Sequence, residues 1–307
     1  MYNHKDLLGL RGLMKDDILS ILDNARLMKK RVENPSLRSP SLERHSAVTL
    51  FYECSTRTRM SFTMAAEYLG MRINDLGVSA SSVQKGERLI DTGKTLDAMG
   101  VSVMIMRHNL TGAAHLLAKH VRAAVINGGD GCNEHPTQAL LDMFTIAEKK
   151  GGFDGLKVAI IGDIIHSRVA RSNAFGLSAL GARVFLAGPP TLISRHFERL
   201  GPSVTVTDSV NEAVRDADVI MGLRVQLERQ KAAAFPDLRE YARFYGITAE
   251  ILEMAKPGAL IMHPAPVNRG VEMTSEVIDH DRSVINEQVT NGVAVRMAVL
   301  EMLGARG

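Results

Sequence analysis

Residues 47–59 read Ala47-Val48-Thr49-Leu50-Phe51-Tyr52-Glu53-Cys54-Ser55-Thr56-Arg57-Thr58-Arg59. The run at 47–51 is apolar and β-branched enough to predict a buried strand. Met60, Phe62, Met64, Ala65, Ala66 and Leu69 then recur at helical spacing, and Gly70 closes the helix. Between strand and helix stand five consecutive side-chain donors, at 55–59. Helix starts leave backbone N–H groups unpaired and carry partial positive charge, so they attract anions. Hydroxyls add donors there, and arginine adds a planar fork that fits phosphate.

The same alternation continues outward. Residues 101–106 read as a strand ending in Arg107-His108. Residues 123–127 read as another, followed by a glycine-rich turn at 128–131 and a helix over 136–149. After Gly151-Gly152 a second series begins: a strand over 156–163, a helix over 168–180, and strands at 181–187, 218–221 and 259–262. Upstream, Leu7, Leu8, Leu10 and Leu13 lead into residues 16–22 with helical spacing. An acidic start and the basic end Lys29-Lys30-Arg31 suit a helix dipole. Residues 34–40, with two prolines, read as a loop. The expected fold class is α/β, with two doubly wound parallel-sheet domains and the active site between them.

Composition agrees with that reading and excludes others. A chain of 307 residues has a two-domain length, and 45% hydrophobic residues can fill two cores. The net charge of +3 is spread, Trp is absent and aromatics reach only 5%, so a nucleic-acid-binding stripe is not expected. No apolar run reaches the length of a membrane span, so no membrane partner is expected, and the first residues lack the order of a signal peptide. The two cysteines, Cys54 and Cys132, have neither disulfide-scaffold density nor metal-ligand spacing, which predicts a reducing, cytoplasmic setting. Cys54 reads as a small core residue, and Met60, Met64, Met297 and Met302 as core filler.

Most of these residues have an ordinary alternative. A single Ser or Thr before a helix is usually a cap, a lone His135 is usually a satisfied loop or core histidine, Lys85 taken singly reads as solvent-exposed, and the alternatives for Arg168 and Arg224 are a solvated first-turn arginine and a loop arginine. Five motifs in order weigh against that. Ser55-Thr56-Arg57-Thr58-Arg59 resembles the carbamoyl-phosphate motif of the aspartate and ornithine carbamoyltransferases. Gln84-Lys85-Gly86-Glu87 with Asp91-Thr92 resembles their mobile loop, and Met106-Arg107-His108 their second phosphate arginine. His135-Pro136-Thr137-Gln138 resembles their His-Pro-x-Gln site, and His263-Pro264-Ala265-Pro266 with Asn268-Arg269-Gly270 their late substrate loop. One departure is Gln84, where some aspartate enzymes carry a second lysine.

The resemblance implies roles residue by residue. Ser55, Thr56, Arg57 and Thr58 hold the phosphate, with Arg107 bridging phosphate and carbonyl. His135 and Thr58 donate to the carbonyl oxygen. Gln138 and the backbone around Pro264, Ala265 and Pro266 hold the carbamoyl amine. Arg168, Arg224 and Gln226 take the carboxylates of aspartate. Lys85, with Ser81 or Ser82, reaches a neighbouring subunit's site. Thr137, the 263–266 loop and Leu223-Arg224-Val225-Gln226 favour the aspartate enzymes over the ornithine ones, which usually carry Cys at the position of Thr137. The implied reaction joins carbamoyl phosphate to the amino group of L-aspartate, giving N-carbamoyl-L-aspartate and phosphate, the second step of pyrimidine synthesis. The implied partners are its small-molecule substrates and two further copies in a homotrimer with shared sites. No metal, cofactor or covalent intermediate is called for, and regulatory or dihydroorotase chains are compatible. Residues 1–136 with 287–307 form the carbamoyl-phosphate domain, and 137–286 the aspartate domain. The rivals are a carbamoyltransferase for ornithine or another amino acid, and a catalytically silent scaffold. A dinucleotide site at 161–168 is disfavoured, because Gly162 stands without the further glycines of a phosphate turn and the next strand ends in Ala187-Gly188-Pro189-Pro190 rather than in an acid.

Overall fold

A computed structural model describes residues 2–77, 87–226 and 237–305. The chain divides into two compact units, residues 1–141 with 290–307, and residues 142–289.

The first unit holds a four-stranded sheet in the order β2-β1-β3-β4. Its strands are β1 (Ser46–Phe51), β2 (Arg72–Leu76), β3 (Val103–His108) and β4 (Ala124–Asp130), and every pairing is parallel. The second holds β5 (Lys157–Ile161), β6 (Arg183–Ala187), β7 (Val204–Thr207), β8 (Val219–Gly222) and β9 (Leu260–Met262), in the parallel order β7-β6-β5-β8-β9. β4 and β5 are buried at every residue, as strands covered on both faces are. The expected pair of parallel-sheet α/β domains is therefore what the chain forms.

Helices connect the strands. They are α1 (Lys15–Glu33), α2 (Thr56–Tyr68), α3 (Leu89–Ala98), α4 (Ala113–Ala118), α5 (Pro136–Lys150), α6 (Arg168–Ala179), α7 (Val210–Val214), α8 (Leu238–Tyr245), α9 (Ala249–Glu253), α10 (Ser275–Ile278) and α11 (Ile285–Gly304). α11 returns the chain to the first unit. There Glu301 accepts hydrogen bonds from Ser41 Oγ at 3.1 Å and from Arg31 Nη1 at 3.4 Å, which ties the last helix to α1 and its following loop.

Four local expectations are corrected. The leucines before residue 15 are not helical: Leu7 lies beside β4, its N–H donating to Val125 O and its carbonyl accepting from Asn127 N, both at 2.9 Å. Two backbone groups at a sheet edge, Val125 O and Asn127 N, outcompete helical spacing there. Gly128 and Gly129 belong to β4 rather than to a turn. A Cβ on Gly128 would lie 3.2 Å from Met106 O, where the β3–β4 register shifts, so the glycine admits a close backbone approach. Cys54 is exposed rather than core, because it lies beyond the buried end of β1. Met60 is also exposed, at 53%, since it falls on the outer face of α2 opposite Phe62 and Ala66.

Candidate active site

In each sheet the chain first winds one way and then reverses. β1 leads to β2 on one side and β3 lies on the other; β5 leads to β6 on one side and β8 lies on the other. The reversal leaves a crevice beyond the carboxyl ends of the flanking strands, where ligands of such sheets bind. Residues singled out from the sequence stand at or just beyond these strand ends in both sheets.

In the first unit, β1 ends at Phe51, which registers with Arg107 on β3. The chain then enters α2 with Ser55 as the residue before its first turn, in extended conformation (φ −160°, ψ 99°). Its hydroxyl makes no capping bond, unlike those of Ser167, Ser209 and Thr248 before α6, α7 and α9. Thr56 and Arg57 are exposed in the first turn, whereas Thr58 is buried. Arg107 reaches across: Nη1 donates to Thr58 Oγ1 and to Gly128 O, both at 3.3 Å, and Nε donates to Glu53 Oε1 at 2.7 Å. One guanidinium thus joins the ends of β1, β3 and β4 and the first turn of α2. Arg59 serves the sheet instead, through an ion pair of 3.1 Å with Asp75 on β2, and Asp75 also accepts from the Thr49 hydroxyl. Next to Arg107, burial pushes the His108 imidazole below its usual pKa, against the opposing pull of Glu53 and Asp130. Its Nδ1 accepts from Leu110 N at 2.9 Å, and its ring lies 4.6 Å from that of Tyr52.

His135 stands immediately before α5 and is 5% exposed. Two carboxylates shape the turn that carries it. Asp130 accepts from Asn127 Nδ2 and from Gly112 N, both at 2.7 Å, and from Glu134 N at 3.2 Å. Glu134 accepts from Leu10 N at 2.7 Å and Arg11 N at 3.2 Å. The His135 carbonyl starts the helix, accepting from Gln138 N and Ala139 N. Pro136 and Thr137 are buried and Gln138 is half-buried.

In the second unit, Gly162 follows β5 at φ +143°, and a Cβ there would lie 2.9 Å from Leu223 Cβ and from its carbonyl oxygen. Glycine is thus required where the chain after β8 crosses the turn after β5. Arg168 opens α6 and is 4% exposed, with Ser167 Oγ capping through Ala170 N. Asp163, fully buried, holds His166 Nδ1 at 2.9 Å. Beyond β8, Arg224 Nη2 donates to Gln226 Oε1 at 3.4 Å, so two of the expected carboxylate ligands lie together. Glu272 binds this segment to the late loop: it accepts from Val225 N at 3.0 Å, Asn268 N at 2.7 Å and Asn268 Nδ2 at 2.8 Å. In that loop Ala265 has φ +52°, its peptide to Pro266 is cis, and its N–H donates to His263 Nδ1 at 2.9 Å.

Ser55, Thr56, Arg57, Thr58 and Arg107 therefore stand at the carboxyl end of the first sheet, with His135 and Gln138 in the same unit; Arg168 stands after β5 and Arg224 and Gln226 after β8 in the second, with Pro264, Ala265 and Pro266 in the same unit. Lys85, Ser81, Ser82 and Gln84 lie outside the described residues. Sequence reasoning missed Glu53, Asp130, Glu134 and Glu272, all acids that hold a cation or backbone N–H groups. Their signal was weak, because an isolated acid beside an anion site reads as a solvated one. Among the described residues no three His, Cys, Asp or Glu side chains gather as a metal-holding group.

Two sheets of this topology, one with an arginine-bridged helix start and one with paired arginine and glutamine side chains, define an α/β protein equipped to bind anionic ligands. Residues 5–148 match the carbamoyl-P binding domain of aspartate/ornithine carbamoyltransferases, and residues 154–303 their Asp/Orn binding domain. The chain belongs to the aspartate/ornithine carbamoyltransferase family. It is 58% identical over 303 residues to the aspartate carbamoyltransferase catalytic subunit of Ruminiclostridium cellulolyticum, covering 99% of this chain and 96% of that one. It is 59% identical over 302 residues to the same subunit of Acetivibrio thermocellus, covering 98% and 96%. Among solved structures it is similar to aspartate transcarbamoylase of Trypanosoma cruzi in complex with carbamoyl aspartate and phosphate, with a TM-score of 0.89, 30% identity, and 98% and 96% of the two chains covered. It is likewise similar to ornithine carbamoyltransferase from Pyrococcus furiosus, with a TM-score of 0.88, 30% identity, and 98% and 97% covered.

Proposed function

We propose that this chain transfers the carbamoyl group of carbamoyl phosphate to the α-amino group of L-aspartate, giving N-carbamoyl-L-aspartate and phosphate. The observation that carries the choice of aspartate is identity of 58% over 99% of the chain with a relative named for that substrate.

The neutral amine of aspartate attacks the carbamoyl carbon, and the carbonyl oxygen takes up the displaced electron pair. When the C–N bond is made, the bond from the carbamoyl carbon to the phosphate oxygen breaks, phosphate leaves with that bond's electrons, and it takes up the proton that the amine gives up. His135 and Thr58 donate to the developing oxyanion. One such donor is worth about 100- to 1000-fold in rate. Ser55, Thr56, Arg57 and Arg107 hold the phosphate, and Lys85 adds charge as it leaves. Gln138 and the backbone at residues 264–266 receive the carbamoyl amine. Arg168, Arg224 and Gln226 orient aspartate, each charge-assisted contact contributing roughly 1.5–3 kcal/mol. Residues 1–136 with 287–307 serve carbamoyl phosphate, and 137–286 serve aspartate. The working form is a homotrimer in the cytoplasm, in which Lys85 completes a neighbour's site. Support for the solution setting comes from two free cysteines and from the described helices, none of which is long and apolar enough to cross a membrane.

The test is a product analysis. The purified chain is given carbamoyl phosphate with aspartate or with ornithine, and products are identified by mass. Carbamoyl-aspartate is expected; citrulline without it rejects the reading. Arg57→Ala is expected to abolish turnover and leave the oligomer intact, and an inactive wild type of intact assembly would point to the scaffold alternative.

A further inference from the structure

A carboxylate offers acceptors only, whereas a carboxamide offers an acceptor and donors. A row of amides ending on a carboxylate therefore has its direction fixed. Such a row crosses the second unit. Asp142 on α5 accepts from Asn173 Nδ2 and from Gln288 Nε2, both at 2.8 Å. Gln288 on α11 must then turn its oxygen the other way, and Oε1 accepts from His263 N at 3.0 Å. The His263 ring carries the row onward, Nδ1 accepting from Ala265 N at 2.9 Å. Asp142 and Asn173 are fully buried, His263 is 1% exposed and Gln288 3%, so water cannot correct a mismatched donor. The row ends on Ala265, which has φ +52°, a conformation that a residue with a Cβ keeps only when its surroundings hold it there.

We propose that Asp142 is a positioning residue for carbamoyl transfer: it fixes the polarity of the Gln288–His263 row and so holds the backbone of residues 263–265 to receive the carbamoyl amine. The inference rests on the role given to that loop above.

Asp142→Asn gives one oxygen and one NH₂ group where two donors, from Asn173 and Gln288, need acceptors. If Gln288 turns over to suit it, an NH₂ group meets the His263 N–H instead. Gln288→Glu alone sets carboxylate against carboxylate. The double variant Asp142→Asn/Gln288→Glu restores these three pairings: the new amide accepts from Asn173 and donates to the new carboxylate, whose second oxygen accepts from His263 N.

The experiment is steady-state kinetics on the wild type, both single variants and the double, with thermal melts and size-exclusion chromatography alongside. D142N is expected to raise the KM for carbamoyl phosphate and lower kcat/KM by about tenfold or more. The double variant is expected to recover kcat/KM to within about threefold of wild type. A partly unfolded sample lowers kcat and leaves KM unchanged, so the rise in KM marks positioning rather than bulk stability. If D142N does not fold, the double variant decides: a wild-type KM supports the inference and a raised one overturns it. An active wild type with D142N kinetics unchanged, or a double variant no better than D142N, overturns the inference alone. A wild type that makes no carbamoyl-aspartate overturns the functional reading and this inference with it.

Discussion

Arg107 brings a cation to a place already holding an acid, and the pairing explains why the arginine is poised rather than mobile. Its Nε is fixed by Glu53 at 2.7 Å, which leaves Nη1 aimed at Thr58 and Gly128. Lysine at 107 would keep the charge and lose the fork. Arg107→Lys is therefore expected to lower kcat/KM by about 100-fold or more, with the melting temperature nearly unchanged because Glu53 keeps a cation beside it. Steady-state kinetics and a thermal melt check both halves, and wild-type kcat/KM in the variant would remove Arg107 from the site. The sequence made Arg107 legible through the motif around it and left Glu53 illegible, since nothing in a linear reading says that an anion site needs an acid to aim its own arginine. Cys54 was misread for a related reason: an apolar residue after a buried strand looks internal until the strand's end is known. Exposed as it is, Cys54→Ala should change stability by less than about 0.5 kcal/mol, as measured by urea unfolding.

At the scale of elements, the turn after β5 and the segment after β8 depend on each other. Gly162 has φ +143° and a Cβ there would lie 2.9 Å from Leu223, so Gly162→Ala adds both a disfavoured backbone conformation and a clash. A loss of about 1–3 kcal/mol or more is expected in denaturant unfolding. It should come with a raised KM for aspartate, because Arg224 lies one residue beyond Leu223; an unchanged KM would detach the turn from the substrate. Glu272→Gln probes the same segment from its other side, since an amide can accept from Val225 N or from Asn268 N but meets the other N–H with its own NH₂ group. The interior strands were legible from apolar runs. β2 and β7, both edge strands, were not: Arg72–Leu76 buries no residue completely and shows neither run nor alternation, whereas Val204-Thr205-Val206-Thr207 does alternate but over only four residues. The short helices α4, α7, α9 and α10 span four to six residues, too few for a helical period to declare itself.

Across the whole molecule, each sheet pins the amino end of a strand with a carboxylate that collects backbone N–H groups. In the first unit Asp97 accepts from Ala123 N at 2.8 Å and Arg122 N at 3.0 Å, just ahead of β4. In the second Asp218 accepts from Lys157 N at 2.9 Å at the start of β5, and from Lys256 Nζ. Burial pushes both carboxyls up. The backbone N–H groups and the neighbouring cations, Arg122 for Asp97 and Lys256 for Asp218, outweigh it, so both pKa values end below the ordinary 3.8. A carboxyl with a lowered native pKa binds its proton more weakly folded than unfolded. It therefore stabilises the fold above pH 3.8, and that contribution is lost as pH falls from there through the lowered native value. Asp97→Asn and Asp218→Asn are each expected to cost about 1–3 kcal/mol at neutral pH, where the amide's NH₂ group faces a donor. Each deficit should shrink as unfolding is followed down through pH 3.8, because the wild-type carboxyl then loses its advantage. Urea midpoints collected against pH test this directly: a deficit that stays constant to the acid end would mean that these acids pin their strands by shape and not by charge.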